Sequence, residues 1–111
     1  MEYTKEQYTK LCVDQLKEKL NIEADMELMD AVVKHMGIAA LGGDASLVAC
    51  EQDSERETIK DSFLKGKLGL SDSDGLDAAV EKVCKELGES NTSKYRGAFY
   101  YLLAKHYGKS L

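Results

Sequence analysis

The chain has 111 residues, 43% of them hydrophobic and 32% charged, with a formal net charge of −5. That length admits one buried core and excludes two. Charged and apolar residues alternate closely enough to exclude a disordered acidic chain, and the acidic balance argues against general affinity for nucleic acid. There is no proline, although average usage near 5% predicts about five or six. Because an internal proline removes an amide donor and clashes with the preceding turn, a proline-free chain suits a mostly helical domain.

The first ten residues, MEYTKEQYTK, hold no apolar run and no small-residue cleavage site. The weakly polar stretch MGIAALGG is far shorter than the roughly 20 residues of a bilayer span. Both features predict a cytoplasmic protein with no membrane contact.

The first element is a helix over residues 5 to 20, with Tyr8, Leu11, Cys12, Leu16 and Leu20 on one face. Thr4 and Gln7 have the spacing of a capping box, in which the hydroxyl accepts from an unpaired amide and the glutamine reaches back. A second helix carries Met26, Met29, Val32, Val33 and Met36, opened by Asp25 and closed by Gly37. The following IAALGGDASLVAC reads as a loop with one helical turn. Ser54 and Glu57 suggest another capping box ahead of Ile59, Phe63 and Leu64, in a helix that ends between Gly66 and Gly69. The fourth helix has Leu76, Ala79, Val80, Val83, Cys84 and Leu87 on one side and stops at Gly88. The last carries Tyr95, Ala98, Phe99, Leu102 and Leu103 and stops at Gly108. One-faced helices joined by short connections satisfy those faces by packing together. The expected fold is all-α: a compact single-domain bundle of about five short helices over residues 1–111, with loose ends at 1–4 and 109–111.

Cys12, Cys50 and Cys84 are odd in number and widely spaced, with no C-x-x-C pair. The expectation is reduced, buried thiols acting as small hydrophobes.

GLSDSDGLDAAVEKV raises the question of a calcium loop. With Gly75 placed sixth, Leu70 falls first, and a leucine side chain cannot coordinate a hard cation. Ser71, Asp72, Ser73 and Asp74 instead suit the start of a helix, where they accept from unpaired amides and complement the dipole. No metal and no cofactor is expected. GIAALGGD has the glycine separation of a phosphate-binding loop, but Gly43 and Asp44 stand where lysine and a hydroxyl residue belong. His35, His106, Cys50 and Ser46 are the obvious material for nucleophilic catalysis, without a recognisable nucleophile motif. A non-enzymatic role is therefore the leading expectation.

Charge is unevenly distributed. Residues 1–89 hold all 20 acids and 11 of the 15 bases, a net −9, whereas residues 90–111 hold four bases and no acid. Asn91, Thr92 and Ser93 resemble a polar helix start beside Lys94 and Arg96, where free amides, the positive dipole end and two cations would converge on a phosphate or carboxylate. Ordinary structure competes for these residues. Tyr95, Phe99, Leu102 and Leu103 share a face suited to the core, and Tyr100 and Tyr101 suit either base stacking or cover for a neighbouring helix.

The segments VVKHMGIAALGGDASLVAC, IKDSFLKGKLGLSDSDGLDAAVEKVC and FYYLLAKHYGK together resemble a family of small bacterial proteins known as domain of unknown function 2853. The likeness spans roughly residues 28 to 109, departing where LKGKLGL stands in place of a more basic LKKKLGL. It implies a bacterial, intracellular helical domain of about this length and supplies no activity, ligand or catalytic residue. The functional expectation is a helical module that binds another protein or itself. The alternatives are binding of an anion or RNA end at Asn91, Thr92, Ser93, Lys94 and Arg96, and an enzyme using His35 and Cys50.

Overall fold

The computed structural model describes residues 3–37 and 40–111, apart from the side chain of Asp44. Residues 1 and 2 of the expected loose N-terminus and residues 38 and 39 of the expected loop lie outside it. The described residues form an all-α fold of five helices: α1 (Lys5–Leu20), α2 (Met26–Met36), α3 (Asp53–Thr58), α4 (Leu76–Glu86) and α5 (Arg96–Tyr107). The radius of gyration is 12.7 Å, close to the roughly 13 Å of a 100-residue compact domain.

Where capping is local, it forms as the spacing predicts. Thr4 Oγ1 accepts from Gln7 N at 3.1 Å and Gln7 Oε1 accepts from Thr4 N at 3.0 Å. Asp25 accepts from the amides of Glu27 and Leu28. Two expected caps differ. α3 begins at Asp53 with no side-chain cap bond, so Ser54 lies within the helix, where its carbonyl accepts from Thr58 Oγ1. The polar run 71–74 caps a separate turn of 3-10 helix, Asp72–Asp74, with Ser71 N donating to Asp74 Oδ2 at 2.7 Å. Left-handed Gly75 then turns the chain into α4, which starts without a side-chain cap.

α3 does not simply continue. Residues Ile59–Lys65 form a wider π-helical coil, with Gly66 N donating to Asp61 O and Leu68 N to Phe63 O, both five residues back. Widening the turn brings Ile59, Phe63, Leu64 and Leu68 to the interior together.

α5 is the axis of the molecule. Every residue from Gly97 to Ala104 is buried, so the single apolar face expected of this helix becomes an all-round one. α1, α2 and α4 all pack on it. Tyr100 stacks on Phe63 with centroids 4.0 Å apart, and Tyr101 Oη accepts from Asp25 N at 2.8 Å, so both tyrosines cover neighbouring elements. At the chain ends, Tyr3 N donates to Leu41 O at 3.3 Å and Leu111 packs partly against the core. The described residues contain no strand. An isolated bridge joins Leu47 to Tyr95, and the 3-10 turn Gly43–Ser46 precedes it.

The cysteines depart furthest from expectation. Cys50 and Cys84 form a disulfide with Cα atoms 6.1 Å apart, closing 34 residues of chain, while Cys12 stays a buried free thiol. The sequence separation is too wide to display the pairing. It arises because α4 lays Cys84 beside the segment that leads into α3.

Candidate functional site

A cavity of about 830 Å³ is a cleft between two loops. One wall is the segment from Ala45 through Gln52, and the other is residues 89–92 after α4. Asn91, Thr92, Lys94 and Arg96 all line it, so the fold brings together four of the five residues nominated as an anion site. Ser93 is turned elsewhere: its carbonyl accepts from Gln15 Nε2 at 2.6 Å and its amide donates to Asn91 Oδ1.

The helix start, its amides and the two cations are nevertheless engaged differently from the expectation. The helix begins at Arg96, not at 91–93. Its early amides face α1 rather than the cleft, with Gly97 N donating to Tyr8 Oη at 3.0 Å. Lys94 is 4% exposed and donates to the Asn91 carbonyl at 2.5 Å. Arg96 donates to the carbonyls of Ala45 and Leu47, to Tyr100 Oη and to the Glu55 carboxylate. Burial alone would lower its pKa, and the Tyr100 hydroxyl and Glu55 more than offset that, holding the guanidinium charged. Glu51, Glu55 and Glu89 also line the cleft, so three carboxylates face two cations. Its electrostatics do not select an anion.

A smaller cavity of about 160 Å³ adjoins the cleft and shares Glu51, Glu89 and Lys94 with it. Both halves of the disulfide line this cavity, together with Arg56, Glu81 and Lys85. Arg56 donates to the Cys50 carbonyl and to Glu81, each at 2.6 Å, which lowers the Glu81 pKa.

His35 and Cys50 are not assembled into a catalytic pair. The Cys50 sulfur is bonded to Cys84, and His35 packs on Phe63 and Tyr100 at centroid distances of 5.7 and 6.4 Å. Around the aspartates, Asp72 pairs with Lys65 at 2.7 Å and Asp77 with Lys60 at 2.6 Å. Among the described residues no cluster of three or more metal-ligating side chains occurs.

The sequence reading missed a groove between α1 and α2, about 480 Å³ in volume. Met26, counted in the apolar stripe of α2, is 48% exposed and is the exposed large hydrophobic of the described residues. Its place just after the N-cap puts it at the edge of the stripe, which was the available signal. Val13 of α1 faces the same groove. So does Thr9, whose buried hydroxyl has no hydrogen-bond partner among the described residues, an uncommon state for a buried polar atom. Lys5 and Lys10 line the groove with Glu6 and Asp30.

No described helix is long and apolar enough to cross a membrane. A family model described as "Protein of unknown function (DUF2853)" matches residues 12–111, nearly the whole chain. No curated protein matches the chain.

Proposed function

This chain belongs to the DUF2853 family of proteins of unknown function, and we propose that it is a non-enzymatic interaction module that pairs with a second copy of itself through the α1–α2 groove. The observation that carries this reading is Met26, left 48% exposed beside Val13 and the unpartnered Thr9 hydroxyl. Covering that apolar floor would remove Met26 from water. The groove's two lysines and two acids are self-complementary. In a two-fold contact Lys5 and Lys10 of one copy face Glu6 and Asp30 of the other, which favours a like partner over a strongly charged one. The family resemblance and the lack of a spanning helix support placing this module in the cytoplasm of a bacterial cell.

Light scattering across a concentration series tests the reading. The expected result is a concentration-dependent dimer that Met26→Asp abolishes while the helical circular dichroism spectrum is retained. A wild-type chain that stays monomeric throughout overturns it. Anion binding in the cleft is the lesser reading, favoured by the grouping of Asn91, Thr92, Lys94 and Arg96 and opposed by the three glutamates. Titration with inorganic phosphate, followed at the amides of residues 91–96, decides it, since amides that do not move remove it.

A further inference from the structure

Cys50 and Cys84 do more than join two distant points of the chain. Cys50 lies in the segment that walls one side of the large cleft, directly before Glu51 and Gln52. Cys84 lies in the last turns of α4, directly before the loop that supplies Glu89, Asn91 and Thr92 to the opposite side. The bridge therefore ties the segment that forms one wall of the cleft to the helix that leads into the other. Both cysteines also line the adjoining cavity of about 160 Å³, room enough for an incoming thiol group. Cys12, in contrast, lies under α5, where burial pushes its thiol up to about 12, so it holds its proton and does not compete as a nucleophile.

We propose that the Cys50–Cys84 bridge is a thiol–disulfide exchange site for a small dithiol, and that opening it releases residues 49–52 of the cleft wall from α4. The dithiol enters through the small cavity. Its thiolate attacks one protein sulfur, the protein S–S bond breaks and the other cysteine leaves as a thiolate, giving a mixed disulfide. The second reductant thiol then attacks that mixed disulfide and frees the remaining cysteine, and the reductant departs as a cyclic disulfide. Two electrons and two protons pass to the protein. Oxidation of the pair by a disulfide of the same class reverses each step.

The local bonding sets how far the change spreads. At one end of the wall Val48 N donates to Lys94 O at 2.9 Å, and Arg96 holds the Leu47 carbonyl at 3.0 Å. Neither bond involves the cysteines, so the wall stays anchored at Leu47 and Val48. Beyond Cys50, Arg56 still links the Cys50 carbonyl to Glu81, through a pair that is partly open to solvent. Residues 49–52 are thus left with one screened tether to α4, while the Gln52 carbonyl still accepts from the Glu55 and Arg56 amides at the start of α3. α5 and its packing should not change.

The test uses the full wild-type chain, titrated with a dithiol and disulfide buffer. Alkylation and mass measurement count thiols, while amide spectra report position. Reversible gain of two labels, at Cys50 and Cys84, under conditions where circular dichroism shows intact helices is the expected result. Shifts should be largest at residues 49–52 and 89–92 and negligible in α5. Loss of protection of the pair only on unfolding would make the bridge an inaccessible staple and overturn the exchange site. Reduction with no shift in the cleft walls would overturn the release. A folded, reduced chain that fails to re-form the bridge would overturn both. A Cys50→Ser/Cys84→Ser chain should give the reduced-state spectrum at every buffer potential, and a spectrum matching the oxidised protein would count against the release.

Discussion

Gly97 sits so close to Cys12 that a Cβ built on it would stand 2.6 Å from the Cys12 sulfur and 3.2 Å from Tyr8 Cε2. No side chain fits between α5 and α1 at that point, and the bare glycine sets their distance. Gly97→Ala should therefore destabilise the fold by about 1–3 kcal/mol, the usual cost of overpacking a close contact. Urea denaturation measures it. Adding Cys12→Ala, which removes the nearest atom, should recover part of the loss.

Tyr8 closes the same junction with its hydroxyl, which donates to Ser46 O at 2.7 Å and accepts from Gly97 N at 3.0 Å. Burial raises its pKa, so it remains the neutral donor that this double role needs. Tyr8→Phe preserves the ring but strands a carbonyl and an amide in the interior. We expect a loss of about 1–3 kcal/mol, with faster hydrogen exchange at the Gly97 amide as the local signature.

Arg96 and Glu55 form a nearly buried pair, their side chains 13% and 17% exposed. Removing the cation by Arg96→Met should cost about 1–3 kcal/mol, because the Glu55 carboxylate loses its partner. The carbonyls of Ala45 and Leu47 lose a donor as well. Arg96→Lys should rescue only part of this, since an ammonium lacks the planar fork that reaches several acceptors at once. Thermal denaturation of the three proteins orders them.

His35 gives the fold a pH dependence. Partial desolvation where the ring packs on Phe63 and Tyr100, and then the nearby Lys67, lower its pKa from 6.5. The unfolded chain accordingly binds the proton more tightly than the folded one. The stability His35 contributes is present above 6.5, erodes as pH falls below that value, and is fully lost once the lower folded pKa has been passed. A urea midpoint that drops over this window in the wild type, and drops less in His35→Gln, is the expected outcome. Carboxylates with lowered pKa values, Asp72 and Glu81 among them, add their own loss at more acid pH.

The elements that were legible in advance depend on neighbours a few residues apart. Thr4 with Gln7, Asp25 with Glu27 and Leu28, and the α4 stripe from Leu76 to Leu87 all follow from helix geometry. The all-round burial of α5 had a signal too, because residues 98–104, AFYYLLA, run without a charge. Ser54 with Glu57 had the right spacing and failed, since α3 starts at Asp53, two residues before the start that a Ser54 cap implies. The partners of the cationic segment at residues 91–96 were not legible for a different reason: Glu55, which engages Arg96, and Tyr8, which takes the neighbouring Gly97 amide, come from 41 and 89 residues away.

By itself the sequence determined a helical chain, where α1 and α2 begin, where most helices end, and which sides of them are apolar, because hydrogen bonding and capping within a helix involve residues three or four apart. Tertiary structure alone decided that α5 would be the axis, that Cys50 would meet Cys84, and that Met26 and Thr9 would border an open groove. Those outcomes depend on which surfaces meet when several similar apolar faces compete for one interior, and no spacing along the chain records that choice.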